Sequence, residues 1–150
     1  MNFIFFLYIL LLSGQLYASV TFPFKKYQVS DGLSHNTVQS ILQDSYGFIW
    51  IGTSNGLNRY DRETGKFHLY TANGNSPDGL THSSIWCIVK DGQGTIWLGT
   101  YFGGVNYFNP EYEIYTRYKV GDTEKAGLSS PIVGRMTEDK DGNLWICTEG

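Results

Sequence analysis

Asp44-Ser45-Tyr46-Gly47-Phe48-Ile49-Trp50-Ile51-Gly52-Thr53 reads as a tight turn running into a short strand, and the pattern occurs three times. Asp91 to Gly94 and Asp139 to Gly142 repeat the Asp-x-x-Gly, Trp97 and Trp145 repeat the tryptophan, and Thr100 and Thr148 repeat the threonine. The tryptophans stand 47 and then 48 residues apart. Each unit opens on Gly-Leu: Gly32-Leu33, Gly79-Leu80 and Gly127-Leu128. An Asp that accepts backbone N–H bonds, followed by a Gly that takes positive φ, is the chemistry of a hairpin turn. The structural positions of the repeat are therefore Asp44, Gly47 and Trp50, then Asp91, Gly94 and Trp97, then Asp139, Gly142 and Trp145.

Outward from the turn, Val38–Gln43, Ile85–Lys90 and Val133–Glu138 are apolar-rich runs of strand length. The triplets Ile49-Trp50-Ile51, Ile96-Trp97-Leu98 and Leu144-Trp145-Ile146 place apolar side chains on both faces of a strand, a pattern that needs cover on both sides. A third strand is expected at Leu57–Tyr60 and Val105–Phe108, and a fourth at Lys66–Thr71 and Ile114–Lys119. Turns at Glu63-Thr64-Gly65 and Asn109-Pro110-Glu111 separate them.

Four short antiparallel strands in each unit of this length describe a β-propeller blade, with blades stacked face to face and the tryptophans packed between them. A solenoid has shorter repeats, and a sandwich does not repeat its motif in register. The expected fold class is all-β: two complete blades and half of a third, an incomplete ring. The repeats run 32–78, 79–126 and 127–150. The first strand of each faces the central channel and the fourth lies at the rim. Terminal repeats need a cap or a ring-closing neighbour, so blade faces are expected to stand exposed.

Composition agrees. Of 150 residues, 18 are Gly, and aromatics make up 16% against 17% charged residues, which excludes disorder. Two cysteines, Cys87 and Cys147, are too few for a disulfide scaffold. They fall at unlike positions in different units and are expected to be buried free thiols. A net charge of -3 leaves no nucleic-acid footprint. At the amino terminus, Phe3 to Leu12 is an unbroken apolar run followed by small and polar residues. It is expected to be a signal peptide covering 1–18, cut after Ala18, with the partial propeller over 19–150.

Gly32-Leu33-Ser34-His35-Asn36-Thr37-Val38, continued by Gln43 to Leu57, closely resembles the two-component-regulator propeller repeat. The opening Phe24-Lys25-Lys26-Tyr27-Gln28-Val29-Ser30-Asp31-Gly32-Leu33-Ser34 is similar to the first repeat after the signal in such sensors. The resemblance implies the periplasmic sensor region of a hybrid histidine kinase, anchored in the inner membrane through the rest of its chain. It further implies a homodimer in the full-length receptor, packing against the remaining blades, and ligand-driven reorientation of paired propellers. An oligosaccharide is the expected ligand. One departure from the repeat is Cys147, which stands where the other units carry Gly52 and Gly99. The competing readings are a propeller lyase or glycosidase acting on an exported polymer, and a non-catalytic interaction scaffold.

The chemistry-bearing residues are weighed against the repeat. Asp44, Asp91 and Asp139 recur at one turn, whereas a catalytic carboxylate pair would occur once, so no catalytic residue is assigned. His35 and His82 occupy equivalent places in adjacent units, with Ser130 in the third. No third ligand accompanies them, so no metal is assigned. No Gly-rich phosphate loop is present, and no cofactor is expected. Positions that differ between units are more informative. Ser54-Asn55 in the first unit becomes Tyr101-Phe102 in the second. Trp86 and Arg135 break the pattern of the first strands, where the first unit has Gln39 and Ser40. The candidate ligand-binding residues are His35, Asn55, His82, Tyr101 and Phe102, on the face formed by the second-to-third turns and the fourth-to-first connections.

Overall fold

The structure, a computed structural model, describes residues 22–72, 79–109, 114–118 and 127–150. Residues 1–18, expected to be a signal peptide, lie outside the described residues, as do Lys119 and the turn residues Pro110 and Glu111. Among the described residues a turn of 3-10 helix at Val29–Asp31 precedes ten strands. β1 (Val38–Gln43), β2 (Ile49–Thr53), β3 (Gly56–Asp61) and β4 (Lys66–Tyr70) form one antiparallel sheet in that order. β5 (Ile85–Lys90), β6 (Ile96–Thr100), β7 (Val105–Asn109) and β8 (Ile114–Tyr118) form a second. β9 (Val133–Glu138) and β10 (Leu144–Thr148) pair as a third. These are two four-stranded propeller blades and the inner half of another, and among the described residues they do not close a ring. Neighbouring blades meet at their inner strands, β1 against β5 and β5 against β9, and the second strands β2 and β6 also contact the next blade's inner strand.

Alternation along the tryptophan strand builds the core. In the second blade, Ile96 and Leu98 face the first blade, joining Trp50, Leu57, Ile85, Ile88 and Phe108 in one cluster. Trp97 points the other way and packs with Val133, Met136, Leu144 and Ile146 of the third unit. The strand is apolar on both faces because each face covers a different neighbour. The glycine after the triplet is set by close approach. A Cβ on Gly52 would lie 2.8 Å from Ile85 Cγ2, and one on Gly99 would lie 2.7 Å from Val133 Cγ1. The inner strand of the next blade lies directly on that backbone.

Two expectations are corrected at the outer faces. Trp50 is 0% exposed, but Trp145 is 62% exposed and not sandwiched, because among the described residues no blade lies over the far face of β10. Cys147, on the same strand, is exposed rather than buried, and Cys87 is only partly buried. Both are free thiols, and burial pushes the Cys87 thiol up to about 11. At the opposite edge, Ile41 is 64% exposed, while its counterpart Ile88 is 7% exposed beneath the first blade.

One feature of the inner strands is not visible in their composition. Each pairs with its neighbour through a register shift at one place. Val38 opposes Thr53 and Ser40 opposes Gly52; Ile85 opposes Thr100 and Cys87 opposes Gly99; Val133 opposes Thr148 and Arg135 opposes Cys147. The residues left over are Gln39, Trp86 and Gly134. Each sits in a β-bulge, which bends the strand and re-aims a side chain.

Candidate functional site

The two ends of the blades differ in kind. At the hairpin end, Asp44 Oδ1 accepts from the Tyr46 and Phe48 amides at 2.9 and 3.0 Å, and Asp44 Oδ2 accepts from Trp50 Nε1 at 2.7 Å. Asp91 takes the amides of Gln93 and Thr95 and the indole of Trp97 in the same way, at 2.9, 2.8 and 2.8 Å. Asp139 does so with Asp141, Asn143 and Trp145, at 2.9, 2.9 and 2.8 Å. Gly47, Gly94 and Gly142 all have φ between 83° and 90°. The carboxylate thus closes its turn and also anchors the tryptophan six residues on. That second role was missed in the sequence, although the fixed Asp-to-Trp spacing carried it. These bonds hold the Asp139 carboxyl down at about 2, with the Trp145 indole the largest cause and the Asn143 amide next.

The other end carries the connections into each first strand and the turns between second and third strands. Leu33 and Leu80 are buried there. The hydroxy residue after each makes a reciprocal pair with an Asn of the third strand. Ser34 N donates to Asn58 Oδ1 at 3.0 Å, and Asn58 Nδ2 donates to Ser34 Oγ at 2.7 Å. Thr81 and Asn106 do the same at 3.0 and 2.7 Å. Asn58 and Asn106 were also missed. Their signal was the Gly-aliphatic-Asn at 56–58 and 104–106. The blades are tied together at this end: Gly56 N donates to Ser83 O at 2.6 Å, and Gly104 N to Pro131 O at 2.9 Å.

His35 and His82 stabilise the connections. His35 Nδ1 accepts from Thr37 N and His82 Nδ1 from Ser84 N, both at 3.0 Å. Ser130 Oγ fills the same place with Ile132 N at 3.3 Å. With Nδ1 accepting, the proton of a neutral ring falls on Nε2.

Only part of the candidate set is brought together. Tyr101 and Phe102 are in T-shaped contact at 4.2 Å, and each lies 6.3 Å from the His82 ring. Trp86, aimed by its bulge, stacks on Tyr101 at 4.8 Å and 22°. Phe102 is 54% exposed. Asn55 lies in the preceding blade's turn, next to the connection bearing His82 through the Gly56–Ser83 bond. His35 has no ring contact among the described residues. The turn bearing Tyr101 and Phe102 is fixed by Thr100 Oγ1, which accepts from Gly103 N at 2.9 Å and donates to Gly104 O at 2.9 Å. The aromatic cluster therefore rides on a braced turn rather than a loose loop.

A groove of ≈ 380 Å³ adjoins the cluster on the channel side, lined by Gln39, Ser40, Trp86, Gly134 and Arg135 among others. Ser40 Oγ accepts from Ile88 N at 3.0 Å and so joins the first two inner strands.

Comparison with known proteins agrees with this architecture. Residues 32–55, 79–102 and 127–150 match the two-component regulator propeller family, one match in each unit. A histidine kinase P4 of Formosa agariphila is 44% identical over 52 residues, covering 35% of this chain and 4% of that protein. Among solved structures, the extracellular domain of a hybrid two-component system from B. thetaiotaomicron superposes with a TM-score of 0.74 at 29% identity, covering 83% of this chain and 17% of that one. The extracellular domain of a one-component system from the same organism gives 0.67 at 26% identity, covering 85% and 18%. The chain thus spans a small fraction of the length of each.

Proposed function

We propose, for a chain built of two-component regulator propeller repeats and related to the extracellular sensor domains of hybrid two-component systems, that it is an exported ligand-sensing segment of a histidine kinase receptor and that its ligand is an oligosaccharide. One observation carries this reading. Where the first blade has Ser54 and Asn55, the second presents His82, Trp86, Tyr101 and Phe102 as a contiguous, partly exposed ring cluster on a braced turn. Aromatic faces beside polar loop groups suit sugars, whose C–H faces stack on rings while their hydroxyls take hydrogen bonds. The acidic positions of the repeat are consumed by turn and indole bonds, so the segment binds without catalysing. In this reading export uses the signal at 1–18, the receptor is held in the inner membrane by other parts of the protein, and paired copies relay the binding event.

Calorimetry of the purified protein against polysaccharide fragments tests the proposal, with product analysis of the same mixtures. The expected result is saturable heat, no cleavage product, and loss of binding in the Tyr101→Ala, Phe102→Ala double variant. Unchanged affinity in that variant refutes the site. Turnover that disappears in a folded Asp91→Asn variant refutes the non-catalytic reading.

A further inference from the structure

The inner strands carry a second, chemically distinct feature. All three bulge residues, Gln39, Trp86 and Gly134, line the same groove, and so do the residues that follow them, Ser40 and Arg135. The repeat keeps the backbone distortion in every unit and changes the side chain it presents: an amide, an indole, then nothing. A bulge held constant while its side chain varies is a fixed mount for a variable reading head. Gly134 leaves the floor of the third strand open, and the neighbouring Arg135 is exposed.

Among the described residues that line the groove, Arg135 alone is charged. Among the described residues no carboxylate lies within ion-pair reach of its guanidinium, and no side-chain hydrogen bond engages it. The thiol beside it, Cys87, stays neutral at ordinary pH because burial raises it to about 11. An unopposed guanidinium in a concave site, on a chain with net charge -3, is a place for an anion rather than a structural ion pair. On the other wall, Trp86 is backed by the stacked Tyr101 ring.

We infer that this groove is an anion subsite and that the ligand is an acidic oligosaccharide, with Arg135 taking its carboxylate or sulfate oxygens while Trp86 and Gln39 hold the sugar ring. The inference rests on the oligosaccharide reading above and specifies its chemical class. Both anions offer a planar or trigonal face of oxygens that a guanidinium binds through paired N–H groups.

The test is calorimetry on the purified protein with three probes: oligogalacturonate, which carries only carboxylates; carrageenan oligosaccharide, which carries only sulfate esters; and neutral agarose oligosaccharide. The expected result is binding of one or both acidic probes, weakened by added salt. Arg135→Gln should lower the affinity for the acidic probe about tenfold or more, the scale of a lost charge-assisted bond. Arg135→Lys should recover part of it. Thermal melts should show both variants folded, since Arg135 is exposed. If the neutral probe binds as well as the acidic ones and Arg135→Gln changes nothing, the anion subsite is overturned while the sugar reading stands. If no probe binds, both are overturned. Carboxylate and sulfate are told apart by which acidic probe responds to Arg135→Gln.

Discussion

The hairpin end and the connection end of the blades are built from the same strands, yet one repeats atom for atom and the other diverges. At the hairpin end three aspartates make the same three bonds, two to backbone amides and one to an indole. At the connection end the backbone frame also repeats, through Ser34–Asn58 and Thr81–Asn106. The side chains mounted on that frame change from Asn55 to Tyr101 and Phe102, and from Gln39 to Trp86. Blades must stack alike, so selection of one turn and one anchored ring serves every interface. A binding face gains nothing from sameness. The contrast separates what holds the fold from what the fold presents.

The largest expected effect lies beneath the hairpin end. Trp50 is fully buried, with Tyr70 at 5.8 Å and Phe108 at 5.1 Å. Trp50→Ala should cost about 3–5 kcal/mol in denaturant melts. Trp145→Ala removes an indole that is mostly in solvent and should cost far less. Equal losses would break the account of the tryptophan as an interface residue. Next comes Gly99→Ala, which drives a methyl into Cys87 Sγ of its own blade and Val133 of the next, and should cost about 1–3 kcal/mol by overpacking. A neutral outcome would show that the inner strands can part without loss.

Asp91→Ala sharpens the comparison further. It strands the Thr95 amide and the Trp97 indole, both partly buried, along with the exposed Gln93 amide, and should cost about 1–3 kcal/mol. At the connection end, Phe102→Ala should change the unfolding free energy by no more than about 0.5 kcal/mol while reducing ligand binding. A Phe102 variant that unfolds would turn the aromatic cluster into a piece of core.

The hairpin end was legible in the sequence because one residue type does one job at a fixed spacing. Asp-x-x-Gly and the flanking apolar triplet announced the turn, the strand and the blade period together. The Asp-to-indole bond was hidden in that same spacing, since a turn role alone already explained the aspartate. The connection end was legible only as variation: Tyr101 and Phe102 stood out, and the structure joins them to His82. It does not join His35 to them, because equivalent positions on successive blades are held apart by the blade stacking itself. Trp86 registered as a break in pattern, but its place over Tyr101 depends on a bulge, and a bulge changes pairing without changing composition. Cys147 misled for a different reason. Its burial depends on a neighbour lying on β10, and strand pattern says only that a face is apolar enough to be covered.

The smallest expected effect is at the exposed copy of the hairpin. Asp139 has its carboxyl lowered from 3.8 to about 2 by the Trp145 indole first and then by Asn143. A carboxyl held below its unfolded value lends stability above that value, and the contribution disappears as pH falls from 3.8 through about 2. Because the group is in solvent, screening keeps the contribution small. The effect is best read on the residue itself: a carbon-detected NMR titration of Asp139 should show a midpoint well below that of an ordinary aspartate, and Trp145 indole N–H shifts should move with it. Asp139→Asn should abolish the coupled indole titration and leave the melting midpoint at neutral pH nearly unchanged. A carboxyl that titrates at 3.8 or above would mean the indole bond is not held in solution. The repeated turn would then need its neighbouring blade to form that bond, and the invariance of the hairpin end would be a property of the stacked ring rather than of each unit alone.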